Sequence, residues 1–410
     1  MNGIDRVIAR RGLILGGTLA VTLTLGACAA SSPASTPSGS TAPGITRHSI
    51  RIGTSNALTG PVASVCLPTS AGSTAWFDHV NALGGVHGRA IDDTVLDDGY
   101  QAPRAAANVA TFRSGNVFAL FGGCGTVTAA TIASVVRGTS MPYLFPYAAL
   151  PALVSPTQPN VYSLLPLYND QARSLIPYVL GHSGTGSVYA LTTEIPGFQD
   201  DVNGASDGTR RAGATFLGSA LLPVANAPFQ VAALKASAAK PDYLMLTVLA
   251  PDAARIINAM AAAGKLPAKG ILGVSVLASQ NFAAALTPAA AALLQTASPT
   301  VPVGDPRAAQ CIDALRKYQP SVTPDAFALY GCAAAQVFVA AMQEAGANPT
   351  RTSLEKALDS FSGAAASPLL PPVSFSAGNH MGLHSMFLLS LKDGKFSIAG
   401  ALPITAAPGN

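Results

Sequence analysis

The sequence predicts an α/β chain made of two units, each a mostly parallel sheet flanked by helices. Short apolar runs of strand length alternate with longer segments of helical periodicity, first from about residue 50 to 146 and again from residue 187 to 276. Of the 410 residues, 49% are hydrophobic and 11% charged, which is enough apolar material for two cores. The sequence contains no internal repeat of the kind that forms solenoid proteins.

The first unit is predicted to begin with a strand at Ile50–Ile52 and a helix at Ala75–Leu83, which ends before the pair Gly84-Gly85. The other elements of this unit are strands at Thr94–Leu96, Val117–Phe121 and Pro142–Pro146 and helices at Pro103–Ser114 and Ala129–Arg137. In the second unit we expect strands at Ser187–Thr193, Ala214–Pro223, Tyr243–Leu249 and Gly270–Val276, with helical segments at Gln199–Gly213, Val231–Lys240 and Pro251–Gly264.

The N-terminus is typical of an exported protein. A basic segment precedes the apolar run Leu13–Leu25, which is too short for a stop-transfer helix, so residues 1–27 are interpreted as a signal peptide. Leu25-Gly26-Ala27-Cys28 resembles the lipobox of bacterial lipoproteins, in which the cysteine is acylated. An ordinary signal peptide with an incidental Cys28 is the alternative. Sec and twin-arginine export both remain open.

Residues 28–48 are predicted to form a flexible tether, because Ser, Pro, Thr and Gly are abundant there and apolar side chains are few. Cys28 would then attach the folded body to the outer face of the cell membrane. The net charge of +4 comes from 24 basic and 20 acidic residues without a basic cluster, so we expect no nucleic-acid partner.

Several segments, in order, resemble the type I periplasmic binding proteins of the branched-chain amino acid and amide class. They include "IRIGTSNALTGPVA", "VLDDGYQAPRAAANVATF", "VFALFGGCGTVTAATIASVV" and "KPDYLMLTVLAPDAARIINAMAAAGKL". The resemblance implies two α/β lobes joined by three hinge crossovers, a small-molecule ligand between them and delivery to an ABC permease. It places residues 49–162 and 302–361 in lobe one and residues 163–301 and 362–408 in lobe two. We expect a monomer.

The loop "GGCGTVT" is the strongest candidate for ligand binding. It follows a predicted strand and leads into a helix, so Gly125 permits close backbone approach while Thr126 and Thr128 offer hydroxyls beside free N–H groups. The resemblance assigns a carboxylate-binding role to this loop. Either threonine alone is equally well explained as a helix N-cap.

Further ligand contacts are expected from loops at the same edges of the two sheets: Thr59, Val65, Tyr147, Ala148, Pro196, Phe198, Leu249 and Val276. Where the family has an acidic partner for an ammonium group, this chain has Val274, Ser275 and Val276, and no carboxylate is positioned to replace it apart from the possible substitute Glu194. We therefore expect a neutral or acidic, fairly apolar ligand rather than a plain amino acid.

No pattern indicates catalysis, a metal site or a cofactor. The six histidines lack metal-ligand spacing, and neither a nucleophile elbow nor a phosphate-binding loop is present. A ligand-sensing receptor of the same fold remains an alternative to a transport protein, and a secreted hydrolase is a weaker one.

Besides Cys28, the chain has four cysteines, an even number that favours two disulfides in an oxidising compartment. Their expected positions predict the pairs Cys66–Cys124, at two loops of lobe one, and Cys311–Cys332, in two successive helices. Free buried thiols and a zinc site are the alternatives.

Overall fold

A computed structural model of the protein describes residues 42–181, 185–195, 200–224, 226–363 and 366–407. The strands in these ranges are β1 (Ser49–Asn56), β2 (Ala90–Asp97), β3 (Ala119–Phe121), β4 (Tyr143–Leu144), β5 (Val161–Tyr162), β6 (Ser187–Thr193), β7 (Thr215–Leu222), β8 (Tyr243–Thr247), β9 (Gly270–Gly273), β10 (Leu294–Ser298), β11 (Ser385–Lys392) and β12 (Lys395–Pro403). The helices are α1 (Ala63–Ala82), α2 (Ala102–Ser114), α3 (Thr126–Val136), α4 (Tyr168–Leu180), α5 (Asp200–Arg211), α6 (Phe229–Ala239), α7 (Ala250–Ala262), α8 (Gln280–Ala284), α9 (Pro288–Ala291), α10 (Ala309–Tyr318), α11 (Ala326–Glu344) and α12 (Arg351–Asp359).

Two sheets form the two lobes that the sequence predicts. The sheet of lobe one has the order β2-β1-β3-β4-β5 and is parallel throughout. The sheet of lobe two has the order β12-β11-β10-β9-β8-β6-β7 and is parallel from β6 to β10. Strands β11 and β12 close it as an antiparallel pair. The predicted α/β fold with mostly parallel sheets is therefore confirmed.

The chain passes between the lobes three times, after β5, after β10 and after α12. The crossings are hydrogen-bonded to other connecting segments: Ser163 N–H donates to the His380 carbonyl (2.9 Å), and Val301 N–H donates to the Leu369 carbonyl (2.9 Å). Short multiple connections of this kind allow two lobes to rotate without unfolding either one.

Helices α1 and α11 pack together unusually closely in lobe one. A Cβ at Gly72 would lie 1.9 Å from the Ala328 carbonyl oxygen, and one at Gly331 would lie 1.9 Å from the Thr69 carbonyl oxygen. Helix α11 is apolar enough to cross a membrane by composition, with a mean hydropathy of 1.5, but 83% of that window is buried inside the protein. Its apolar sequence is therefore explained by its place in the core.

Several predicted boundaries are corrected. Helix α1 begins at Ala63, twelve residues before the predicted start, and α3 begins at Thr126 rather than Ala129. Strand β4 is reduced to Tyr143–Leu144, and β9 ends at Gly273, where a short 3-10 helix follows. Local periodicity misses these limits because glycine, serine and threonine at the helix starts are typical of loops as well.

The predicted tether extends too far toward its C-terminal end. Ile45 is 5% exposed, and the N–H of Arg51 donates to the Gly44 carbonyl (2.8 Å). Gly44 has a φ of 79°, and a Cβ there would lie 2.1 Å from the Phe118 nitrogen. Ile45 and Gly44, together with a hydrogen bond from Arg89 Nε to the Thr46 carbonyl (2.7 Å), hold residues 42–48 against lobe one. The predicted signal peptide, Cys28 and the predicted tether up to residue 41 lie outside the described residues.

Both predicted disulfides are present. Cys66 is bonded to Cys124 with their Cα atoms 5.2 Å apart, and Cys311 is bonded to Cys332 with a Cα separation of 6.3 Å. Cys66 lies in the first turn of α1 rather than in the predicted loop.

Candidate functional site

A small cavity lies between the two lobes at the carboxyl ends of the parallel strands, where ligands of open α/β sheets commonly bind. Its volume is about 30 Å³, close to that of one water molecule. It is lined by Val62, Val65, Tyr100, Cys124, Gly125, Thr126, Tyr147, Tyr168, Ile195, Leu249 and Val276. We call this the inner cavity. The lobes are closed around it, so a larger molecule enters when the lobes separate or the tyrosines move.

The loop between β3 and α3 brings the start of α3 to the inner cavity. Gly123 has a φ of 78°, and a Cβ there would lie 2.3 Å from the Ser55 carbonyl oxygen. Gly125, with a φ of 122°, is the N-cap residue of α3 and makes no side-chain cap hydrogen bond. Gly125 and Thr126 both line the inner cavity, so α3 begins at the cavity wall with the positive end of its helix dipole there.

Tyr100 lies against this helix start. Its ring is in close contact with Gly125, since a Cβ added there would lie 2.9 Å from the ring. Burial raises the pKa of Tyr100 to about 12, although hydrogen bonding of its oxygen to the Val127 N–H and the Thr126 side chain opposes the rise. A hydroxyl that accepts from these groups keeps its own proton free to donate.

Asp98 holds Tyr100 in place. Its Oδ1 accepts a hydrogen bond from the Tyr100 N–H (2.9 Å), and its Oδ2 accepts one from the Ser55 hydroxyl (2.8 Å). Tyr100 adopts a φ of 63°, a conformation that is uncommon for a residue with a side chain. The carboxylate of Asp98 is thus used in positioning this loop.

The neighbouring Asp97 holds the loop that follows β1. Its Oδ2 accepts from the Thr59 hydroxyl (2.8 Å), and its Oδ1 accepts from the N–H groups of Leu58 (3.0 Å) and Gly99 (2.9 Å). Thr59 is exposed and its hydroxyl is engaged there, away from the inner cavity.

Tyr147 connects the two lobes directly. Its hydroxyl donates a hydrogen bond to the Ser275 carbonyl oxygen of lobe two (3.3 Å), and the Ser275 N–H donates to Gln171 Oε1 (2.9 Å). On the lobe-one side its ring packs edge-on against Tyr330, with centroids 4.8 Å apart. Burial raises the pKa of Tyr147 well above its usual range, so the hydroxyl remains a donor at neutral pH.

The structure brings six of the predicted contact residues to the inner cavity: Val65, Gly125, Thr126, Tyr147, Leu249 and Val276. Three others do not line it. Thr59 binds Asp97, Thr128 donates its hydroxyl to the Gly125 carbonyl (3.2 Å), and Ala148 is buried in the core of lobe one. Pro196 and Phe198 lie outside the described residues.

Sequence reasoning missed Val62, Tyr100, Tyr168 and Ile195, which also line the inner cavity. Tyr100 could have been found, because it directly follows the Asp97-Asp98-Gly99 turn after a predicted strand. Tyr168 could not, since it opens α4 in the segment just after the first crossover. Its position at the cavity depends on how the lobes close.

A second space of about 210 Å³, the outer cavity, adjoins the first and is also formed by both lobes. Asp325 lines it together with Phe327 and residues of α7 and α8. This corrects the expectation that no carboxylate reaches the space between the lobes. The suggested substitute, Glu194, is exposed and lines neither cavity.

A further cavity, of about 750 Å³, lies between residues 302–306 and the turn that joins β11 to β12. Asp305 in its wall is paired with Arg307 (2.8 Å), and Lys395 is exposed. The walls are otherwise mostly apolar and offer no free buried polar group that would select a ligand.

Residues 49–395 match the sequence model of a family described as periplasmic binding protein. No curated protein sequence gives a significant match.

Many solved structures share the fold. A fatty acid ABC transporter substrate-binding protein from Thermomonospora curvata has a TM-score of 0.77 and 20% identity, covering 89% of this chain and 95% of its own. A solute-binding protein from R. palustris in complex with benzoate has a TM-score of 0.74 and 20% identity, covering 88% and 98%. Another from Rhodopseudomonas palustris BisB5, in complex with 3,4-dihydroxy benzoic acid, has a TM-score of 0.76 and 16% identity, covering 88% and 99%.

Proposed function

Because the chain belongs to the periplasmic binding protein family, we propose that it is a lipid-anchored, extracytoplasmic solute-binding protein that presents a small organic ligand to an ABC permease. The ligand is a carboxylate or amide with an apolar body. The protein itself carries out no chemistry on it, and its cycle consists of lobe opening, capture and closure.

One observation carries the ligand class: an apolar interlobe cavity at whose wall α3 begins. The Tyr100 oxygen accepts from the Val127 N–H and the Thr126 side chain, so the Tyr100 proton is left to donate to an oxygen-bearing group of the ligand, and Thr126 itself lies in the cavity wall at the start of α3. Val65, Leu249 and Val276 provide apolar walls from both lobes. This combination of a few convergent donors with apolar walls is typical of small-molecule sites.

The same cavity disfavours a plain α-amino acid. Among the described residues of its wall none is acidic, and the nearby Asp98 is engaged by Ser55 and the Tyr100 backbone. An α-ammonium group in the closed cavity would lose its hydration without gaining a charged partner, which costs at least about 1 to 3 kcal/mol. The fatty acid and benzoate named for the structurally similar proteins agree with a carboxylate ligand.

The proposal of a membrane anchor is based on the sequence, and the proposal of a permease partner is based on the family. The lipobox-like segment ending at Cys28 supports covalent attachment to lipid, and the family supports transfer to an ABC permease. We propose that the protein acts as a monomer tethered next to that permease.

A thermal-shift screen tests the ligand class. At a hundredfold excess over its dissociation constant a ligand stabilises the folded state by about 2.7 kcal/mol, which raises the melting temperature measurably. We expect stabilisation by deaminated analogues of branched-chain amino acids, by aromatic acids or by amides, and none by leucine or valine. Micromolar binding of leucine would contradict the proposal.

Two matched threonine variants test the role of the Thr126 hydroxyl in ligand binding. Thr126→Val removes a hydroxyl that lines the inner cavity and is expected to weaken binding about tenfold. Thr128→Val removes a hydroxyl that donates within the loop, and it serves as the control that leaves affinity nearly unchanged. Equal losses in both variants would show that the hydroxyl of Thr126 has no particular role.

A further inference from the structure

The outer cavity and the inner cavity share part of their walls. Val65 lines both cavities. Tyr147 of the inner wall and Phe327 of the outer wall are in edge-to-face contact, with ring centroids 5.5 Å apart. A ligand that fills the inner cavity and extends past Val65 therefore enters the outer cavity.

Asp325 places a buried carboxylate in the wall of the outer cavity. It is the N-cap of α11, where Oδ1 accepts hydrogen bonds from the N–H groups of Phe327 (2.9 Å) and Ala328 (2.8 Å). Its Oδ2 accepts none from the part of the chain that the structure describes. The residue is only 4% exposed, and no protein donor in the described ranges reaches this oxygen, which lies at the wall of the outer cavity.

No cation in the described ranges compensates this carboxylate, since none of their ion pairs includes it. Burial raises the pKa of Asp325 to about 6, with the Ala328 and Phe327 N–H groups opposing the rise. A buried carboxylate that has no cationic partner and faces a cavity can accept a hydrogen bond from a donor group of a bound ligand.

We propose that the outer cavity is a second polar subsite for the same ligand, in which Asp325 Oδ2 accepts a hydrogen bond from a hydroxyl or ammonium group at the ligand's distal end. This inference rests on the proposed function, because it assumes that the other end is held at Thr126. The ligand class is then an apolar molecule with a carboxylate or amide at one end and a donor at the other. An α-ammonium group does not qualify, because it lies beside its own carboxylate in the inner cavity.

Calorimetric titration of the full chain tests this subsite with three homologous series of carboxylates that end in a methyl, a hydroxyl or an ammonium group. At the chain length that spans both cavities, the wild type is expected to bind a polar-ended member about tenfold more tightly than its methyl-ended match. Asp325→Asn retains a capping oxygen but replaces the free acceptor with an N–H donor, so it should abolish the preference for an ammonium end, while a hydroxyl end can still accept from the amide. Asp325→Ser, which also caps but has no second polar atom, should abolish both preferences.

Asp305→Asn is the matched control, since Asp305 is another N-cap aspartate that lines neither cavity between the lobes. This variant should keep the preference. A wild type without preference, or a preference that survives in both Asp325 variants, would overturn the subsite and leave the proposed function standing. Failure of every carboxylate to bind the wild type would overturn the proposed function, and the subsite with it.

Discussion

Two adjacent aspartates after β2 have opposite electrostatic environments and separate tasks. Asp98 is fully buried, and burial raises its pKa although it accepts hydrogen bonds from Ser55 and the Tyr100 N–H. Asp97 is partly exposed; burial tends to raise its pKa, but hydrogen bonds from Thr59 and Gly99 and the nearby Arg104 together lower it to about 2. Asp98 positions Tyr100, and Asp97 holds the loop that contains Thr59.

Asp97→Asn is expected to lower the free energy of unfolding by roughly 1 to 2 kcal/mol at neutral pH. The pKa of this carboxyl is depressed in the folded protein, so its stabilisation is present above its unfolded value of 3.8 and is lost as the pH falls toward about 2. The difference in unfolding free energy between Asp97→Asn and the wild type should therefore become smaller as the pH falls from 3.8 toward about 2. Urea denaturation at a series of pH values measures it.

Asp313→Asn is the control, because Asp313 is 75% exposed and makes only a long contact with Arg316 (3.5 Å). It should leave the unfolding free energy nearly unchanged. A deficit in Asp97→Asn that stays constant from neutral to strongly acid pH would contradict the electrostatic explanation.

At the scale of elements, the contact of α1 with α11 depends on small residues, and the β3–α3 loop is cross-linked by a disulfide. Gly72 and Gly331 let the two helix backbones meet. The Cys66–Cys124 bond ties the first turn of α1 to the β3–α3 loop, and Cys124 lines the inner cavity. The loop that carries the predicted anion site is thus covalently fixed to the core of lobe one.

The double variant Cys66→Ala/Cys124→Ala is expected to lose about 2 to 4 kcal/mol of stability and to bind ligand more weakly. The stability loss follows from releasing a cross-link between residues 58 positions apart, and the affinity loss follows from a loop that must be ordered on binding. Thermal unfolding and calorimetric titration measure the two effects.

Cys311→Ala/Cys332→Ala is the matched comparison, since this disulfide joins α10 to α11 and neither cysteine lines the inner or outer cavity. It should cost stability while changing affinity much less. An equal loss of affinity in both double variants would mean that the first disulfide stabilises the whole lobe rather than the ligand loop.

At the scale of the whole molecule, the proposed function depends on two lobes that open and close and on attachment to the membrane. The closed state is held in part by the Tyr147–Ser275 hydrogen bond, and the crossings between lobes are short. The proposed anchor, Cys28, precedes the described residues and rests on the sequence alone.

Cys28→Ser is expected to move the protein from the membrane fraction to the soluble extracytoplasmic fraction, because it removes the proposed site of acylation. Incorporation of a labelled fatty acid should disappear as well. Ser31→Ala, a small change three residues further on, should leave both unchanged. Undiminished labelling of Cys28→Ser would show that the lipobox interpretation is wrong.

The sequence alone was sufficient to predict the order of strands and helices up to residue 276, the mostly parallel sheets and both disulfide pairs. These features depend on local signals, namely apolar periodicity, glycine at helix ends, and an even number of cysteines near the ends of predicted elements. The start of α1 was missed because its first half contains Pro68, Gly72 and several hydroxyl residues, which are typical of a loop. They are helical because α11 packs closely against them.

Tertiary structure alone decided which side chains meet between the lobes. Tyr168 and Asp325 are far apart in sequence from the β3–α3 loop, and Asp325 has the sequence signature of an ordinary helix N-cap. The sequence predicts Thr59 as a ligand contact, but in the folded chain its hydroxyl donates a hydrogen bond to Asp97. The physical reason is that cavity walls are assembled from separate segments whose relative positions depend on packing across both lobes, and no local pattern records that packing.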